Sequence, residues 1–199
     1  MGPFIWMVLG SFKTTGELRS VPPTWWPENP TLANYVDVWQ EAPLALWIGN
    51  TVLVTVLAAV AVTLSSALVA WGFAYYRFRG RNLLFALVLG SMMLPGAVTM
   101  IPVFLIWNSL GQVDTLTPLW AANLFGSAFY IFLLRQFFLG LPRELFEAAR
   151  IDGASTWKIF RIIVLPLSVP ALASFAIFQF LWVWNDLLVA LVFAPRPGG

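Results

Sequence analysis

Four stretches of this chain are each long and apolar enough to cross a lipid bilayer, and that limits the fold more than any other feature. They run from Asn50 to Tyr75, Leu83 to Trp107, Pro118 to Phe138 and Ser168 to Phe193. About 20 mostly apolar residues in a helix cover the roughly 30 Å of a hydrocarbon core. Only 10% of the 199 residues are charged and 60% are hydrophobic, against about 25% charged in an average soluble domain. A soluble core of this size could not bury so much apolar surface. The expected fold class is therefore all-α: a polytopic helical membrane protein with four complete spans. The opening "PFIWMVLGSF" at 3–12 would rise only about 15 Å. It lacks the basic start and small-residue cleavage site of a signal peptide, and reads as an N-terminal partial span, the tail of a crossing whose beginning is missing.

Cysteine and histidine are both absent, which removes disulfides, thiolate nucleophiles, imidazole bases and the usual zinc ligands. No catalytic residue, metal site or cofactor is expected. The formal charge of +2, with basic residues spread along the chain, excludes nucleic acid as a partner. The placement of those residues sets the orientation, because Lys and Arg are retained on the cytoplasmic side. Arg77, Arg79 and Arg81 fill the 76–82 link, and Arg135, Arg143, Arg150, Lys158 and Arg161 lie in or beside the 139–167 loop. These make eight of the eleven basic residues, so that side is cytoplasmic. The segment "KTTGELRSVPPTWWPENPTLANYVDVWQEAP" then faces outward, either as an ordered loop with Trp25 and Trp26 near the headgroups or as a plain linker.

Two spans carry interruptions. In "MMLPGAVTMIP", Pro95, Gly96 and Pro102 require a kink or local unwinding. The freed backbone groups must then meet neighbouring helices or an aqueous path; a passive structural kink is the alternative. In "WVWNDLL", Asn185 and Asp186 sit among apolar neighbours, roughly 25 Å along a continuous helix from Ser168. Polar groups at that depth usually face a cavity, and Trp182 and Trp184 offer flat surfaces for stacking on a sugar ring. The competing reading is an interfacial aromatic belt with a helix end at Asn185. Gln179 either shares that cavity or bonds a neighbouring helix, and Ser65, Ser66 and Gly72 suit close helix packing.

Between the last two spans, "LPRELFEAARIDG" has the signals of a short bounded helix. Pro142 suits the first helical position, Glu144 the positive first turn and Gly153 the left-handed stop. Leu145, Ala148, Ala149 and Asp152 share one face. Such a helix is marginal alone in water, so something must hold it. Ser155 then caps a second, amphipathic helix through "TWKIFRIIVL", and Pro166 and Pro170 punctuate the entry to the membrane. The small residues Ala148, Ala149 and Gly153 permit close approach by a partner.

The spacing of Glu147, Ala148, Ala149, Gly153, Ile163, Leu165 and Pro166 resembles the "EAA" loop of permease subunits in bacterial binding-protein-dependent ATP-binding cassette (ABC) importers. "SFKTTGEL", "PPTWWPENPTLANY", "YYRFRGRN", "MMLPGAVTMIPVF", "FLLRQFFLGLPRELFEAARIDGAS" and "WVWNDLL" resemble its carbohydrate-uptake branch, the maltose-type inner-membrane component, over almost the whole chain. The resemblance implies the type I importer permease fold, a single transmembrane domain over 1–199 and a coupling loop over 139–167. It implies that Glu147, Ala148, Ala149 and Gly153 dock on an ABC ATPase subunit, with Arg150 and Asp152 at the rim; Trp182, Trp184, Asn185, Gln179, Pro95 and Gly96, from the interruptions read above, are the candidates for the solute pathway. The implied partners are ATPase subunits, a second permease subunit, identical or different, an external solute-binding protein and the lipid of a bacterial inner membrane. No GxxxxGK[ST] phosphate loop occurs, so ATP hydrolysis is expected on another chain. The family has six spans, and this chain ends in "APRPGG" where a final helix would follow; truncation at both ends is the expectation. A membrane-embedded enzyme using Asp186, Asp152 or Glu147 is the competing class, but paired carboxylates must surround one substrate and these fall on opposite membrane sides.

Overall fold

The computed structural model describes residues 1–195. The "RPGG" ending lies outside them. Regular structure among the described residues is helical throughout. The chain divides into two compact units, Met1–Asn50 and Thr51–Gly199.

The first unit holds α1 (Gly2–Ser11), α2 (Thr15–Leu18) and α3 (Ala33–Glu41). At ten residues, α1 is apolar but shorter than a crossing. The segment after it is an ordered loop tied by a few polar anchors. Lys13 is only 1% exposed; its ammonium donates to the Thr24 carbonyl and stands 4.6 Å from the centre of the Trp6 ring. Trp25 meets Trp6 edge-on at 5.3 Å. The Asn34 side-chain amide donates to the carbonyls of Ser11 and Lys13 at 3.0 and 2.8 Å, and the Glu17 carboxylate accepts from the Asn29 N–H at 2.9 Å.

The long helix α4 (Leu44–Tyr75, 32 residues) dominates the sequence that follows. Its buried positions come in pairs four residues apart: Val54 and Thr55, Ala58 and Ala59, Val62 and Thr63, Ser66 and Ala67, Ala70 and Trp71. Small side chains at that spacing let neighbouring backbones approach closely, which is how helices associate where lipid removes the hydrophobic driving force.

The expected second span is two helices, α5 (Arg81–Ser91) and α6 (Gly96–Ser109), bent by 101°. Pro95 has no N–H to continue α5, and it begins α6 from an extended conformation, φ −62° and ψ 135°. Before it, the N–H groups of Met92, Met93 and Leu94 bond carbonyls three residues back at 3.0–3.2 Å, the tight turn that ends many helices. Pro102, by contrast, stays inside α6. The kink or unwinding expected from "MMLPGAVTMIP" is thus a near right angle at one of its two prolines.

The third span is long and apolar enough to cross, Thr117–Leu139, but it is not the uninterrupted helix expected. It consists of α7 (Thr117–Ala121), a 3₁₀ turn (Ala122–Phe125) and α8 (Ala128–Leu139). At the break the Ser127 N–H donates to Ser66 Oγ at 3.0 Å. Ser65 Oγ donates to the Asn123 carbonyl at 3.2 Å, and Gln179 Nε2 to Asn123 Oδ1 at 3.0 Å. Backbone freed inside a membrane needs such partners, and the two serines of α4 supply them. The last apolar stretch divides into α12 (Val169–Trp184) and α13 (Leu187–Phe193). By length and composition the described residues hold two helices able to cross, or four spans if two bent pairs, Arg81–Ser91 with Gly96–Ser109 and Thr156–Leu167 with Val169–Trp184, each count as one.

Gly126 joins the halves of the broken span at φ 79° and ψ 173°, a region essentially confined to glycine. A Cβ there would stand 3.2 Å from Ser66 Oγ and 3.3 Å from Ile131 Cδ1. Gly126→Ala should therefore destabilise the protein by about 1–3 kcal/mol, read as a lower midpoint of thermal unfolding in detergent; an unchanged midpoint would show that the break tolerates a side chain.

Candidate functional site

Downstream of α8 the chain forms the knuckle anticipated from sequence. Helix α9 (Arg143–Ile151) has Pro142 at its cap rather than at the first helical position expected for it, with Glu144 in the first turn and Arg150 in the last. Gly153 adopts φ 77°. The N–H groups of Gly153 and Ala154 close the turn on the carbonyls of Arg150 and Ala149 at 3.0 and 2.9 Å. Ser155 Oγ accepts from the Lys158 N–H at 3.3 Å and caps α10 (Thr156–Ile159).

A π turn (Phe160–Val164) and α11 (Leu165–Leu167) follow. Pro166 explains the widening: it has no N–H for the carbonyl four residues back, and its ring crowds that carbonyl. Ser168, fully buried, donates its hydroxyl to the Val164 carbonyl at 2.6 Å. The segment Thr156–Leu167 meets α12 at 73°. The result is an elbow of interrupted helix.

An aromatic cluster holds the knuckle to the membrane helices. Phe146 is the buried residue of α9; its ring meets Trp71 edge-on at 5.5 Å and Tyr75 at 6.2 Å. Trp71 also stacks on Tyr75 at 4.3 Å and on Phe160 at 6.0 Å, and meets the edge of Phe138 at 6.2 Å. The Arg150 guanidinium lies 5.0 Å from the centre of the Tyr75 ring. Ile159, Val164, Leu134 and Ile131 complete the buried core around these rings. Tyr75 and Trp71 lie in the last two turns of α4, so α9 is fastened to the C-terminal end of the longest helix among the described residues.

Of the six residues assigned to docking, Glu147, Ala148, Arg150, Asp152 and Gly153 are exposed, and Ala149 is half-buried against the core. Ala149 is therefore turned inward relative to Ala148, and part of the small-residue face expected from sequence serves packing. Sequence reasoning missed Phe146, Trp71 and Phe160. The available signal was an aromatic residue two positions before Ala148, on the opposite side of a helix.

The residues assigned to the solute pathway fall in three places. Pro95 and Gly96 are exposed at the α5–α6 break. Gln179 is buried and bonded to Asn123, so the neighbouring-segment alternative describes it. Asn185 terminates α12, its amide donating to the Leu181 carbonyl at 2.7 Å, and Asp186 Oδ1 accepts from the Val189 N–H at 3.0 Å to cap α13. This is the helix end that sequence left as one of two readings. Trp184 stacks on Phe180 at 5.5 Å, whereas Trp182 is 74% exposed.

Apolar helices broken at internally bonded points, carrying a capped helix on an aromatic anchor, define a polytopic membrane protein of the permease class. Residues 64–199 match the family described as "Binding-protein-dependent transport system inner membrane component", and the chain belongs to that family. It is 44% identical over 173 residues to the alpha-glucoside transport system permease protein AglG of Rhizobium meliloti, covering 84% of this chain and 46% of that protein. It is 40% identical to the osmoprotective compounds uptake permease protein GgtD of Synechocystis, covering 96% of this chain and 66% of that one. With the arabinooligosaccharides transport system permease protein AraQ of Halalkalibacterium halodurans, identity is 38%, over 96% and 69% of the two chains. The chain thus spans about half to two thirds of the length of these relatives. The crystal structure of a bacterial ABC transporter that imports the acidic polysaccharide alginate contains a chain of the same fold, with TM-score 0.87 and 25% identity over 98% of this chain and 68% of that one. The all-α importer permease fold implied by the resemblance is the fold observed.

At Gly153 no atom lies within 4 Å of an added Cβ, so the left-handed backbone alone governs substitution. Gly153→Val should cost about 1–2 kcal/mol and speed amide exchange at Ala154 roughly tenfold, while Gly153→Asn, at home in that conformation, should change it little. Equal exchange in both variants would show that the turn is set by something other than this dihedral.

Proposed function

We propose that this chain is a transmembrane subunit forming the solute pathway of an ATP-driven carbohydrate importer in a bacterial inner membrane, and that α9 couples it to a separate ATPase subunit. The whole of 1–199 then acts as one transmembrane domain, with 139–167 as its coupling loop. The carbohydrate assignment is supported by relatives named for alpha-glucosides and arabinooligosaccharides. The coupling assignment rests on one observation above the others: Phe146 of α9 packs edge-on against both Trp71 and Tyr75 at the C-terminal end of α4.

A helix of nine residues has little stability of its own. Fixed to α4 by packed rings, it becomes a handle whose displacement must move α4. Its outward side keeps Ala148 and Ile151 exposed, Ile151 at 87%, a small apolar surface suited to a cleft in a partner. Closure of paired ATPase subunits would then rock the helices between inward-open and outward-open arrangements, a rigid-body switch. A second permease subunit would complete the pathway, and an external binding protein would deliver the solute. Glu147, Ala148 and Gly153 are the docking residues in this reading, Arg150 and Asp152 its rim, and Ala149 the inward packing contact. The exposed Trp182 ring, beside the end of α12, is the surface best placed to stack on a sugar.

Phe146→Ala in the full-length subunit of the assembled transporter should lower ATP-driven uptake roughly tenfold, since two aromatic contacts are lost, while the ATPase subunit still copurifies. Phe146→Leu should retain more activity. Wild-type uptake by the alanine variant would remove the mechanical link.

A further inference from the structure

Behind the knuckle lies a cleft of about 300 Å³ whose wall includes Phe146, Glu147 and Arg150 of α9. Five arginines line it, Arg77, Arg81, Arg135, Arg143 and Arg150, and Glu147 is the one carboxylate on its wall. Its apolar surface comes from the aromatic anchor, Trp71, Phe138 and Phe146. The elements that meet there are the C-terminal ends of α4 and α8 and the starts of α5 and α9, and the orientation read from the basic residues, on which this inference rests, puts the cleft at the cytoplasmic edge of the bilayer. Two polar groups of its lining residues, Arg135 Nε and the Tyr75 hydroxyl, are buried without a hydrogen-bond partner among the described residues. Arg135 is also held over the Phe85 ring at 4.3 Å, and Arg81 Nη1 donates to the Tyr76 carbonyl at 3.3 Å, so two of the guanidinium groups are positioned before any ligand arrives.

The geometry points to a binding site for the phosphate of an anionic phospholipid headgroup. Guanidinium groups match phosphate oxygens in bidentate geometry, and basic pockets between helices on the cytoplasmic side suit anionic headgroups. A lipid phosphate supplies acceptors for the unpartnered donors, and its acyl chains extend from the cleft into the adjoining hydrocarbon. A free anion would gain only the first of these. The site shares Glu147 and Arg150 with the proposed coupling surface, but its test is independent of coupling, because lipid capture needs no ATPase.

The test uses the chain reconstituted in phosphatidylcholine bilayers containing a photoactivatable phosphatidylglycerol, with crosslinked peptides mapped by mass spectrometry. Label should fall on peptides bearing Arg77 and Arg81 or Arg135 and Arg143, and should persist in excess inorganic phosphate. Arg77→Gln with Arg81→Gln should lower it roughly tenfold; Arg79→Gln with Arg161→Gln, the same loss of charge outside the cleft, should not. Equal loss in both double variants would reduce the effect to diffuse surface charge and overturn the proposal. So would competition by inorganic phosphate, which would mark a free-anion site, or replacement of the label in the assembled complex by crosslinks to an acidic segment of the ATPase subunit. Should the Arg77/Arg81 variant fail to accumulate, label mapping and phosphate competition on the unaltered chain decide between these outcomes.

Discussion

The contact on which the inner half of this molecule depends is made by one indole. Trp71 sits in the last turn but one of α4 and receives rings from Tyr75, Phe138, Phe146 and Phe160. These come from four segments: α4 itself, α8, α9 and the π turn. Aromatic pairs of this kind contribute about 0.5–1.5 kcal/mol each beyond area burial, enough to hold a helix that could not stand alone in water. Without that hub, α9 would be a loop with helical tendencies. With it, the knuckle and α4 are parts of one packed body, and packed interiors transmit displacement rather than absorb it.

A second constraint acts wherever a helix breaks inside an apolar span, because a bilayer core offers no water to satisfy the freed backbone. The chain breaks its helices at Pro95, at Gly126 and at Asn185, and handles each differently. The Gly126 break is bonded to Ser65, Ser66 and, through Asn123, to Gln179. The Asn185 break satisfies itself, with Asn185 and Asp186 capping the two helices they separate. At Pro95 the missing N–H removes part of the problem, and a tight final turn takes up the rest. Breaks fixed by distant partners hold helices in register, whereas self-capped breaks leave their two arms independent.

This distinction explains what the sequence discloses. Features written in neighbouring residues are legible: the cap at Ser155, the left-handed stop at Gly153, the proline bend at Pro95 and the apolar lengths of the spans. The break at Gly126 is not, because "NLFGS" is short, mostly small and apolar, and its polar partners lie about sixty residues away. Gln179 and Asn185 share a helix and a polar character, which invites a common cavity, yet one bonds across to another segment and the other bonds its own turn. The aromatic hub was equally hidden. Trp71 and Phe146 are unremarkable members of apolar or amphipathic stretches until folding brings their rings together, so periodicity gave the exposed small residues of α9 and not the side that holds them.

The two ends of the knuckle are fastened with different stiffness. At its start, α9 is fixed to α4 through Phe146 and through the Arg150 guanidinium over Tyr75. At its far side the connection to α12 runs through a π turn, a three-residue helix and a 73° bend, where Pro166 and Pro170 have each removed a backbone donor. Helix interrupted in this way is where long helices bend, while Ser168, buried and bonded to Val164, keeps the bend from unravelling. A displacement applied to α9 would therefore pass to α4 almost unchanged and to α12 through a joint. Two helices driven from one handle through unequal linkages rotate relative to each other, and in the proposed coupling it is that relative motion, more than a common translation, that would open and close a solute pathway.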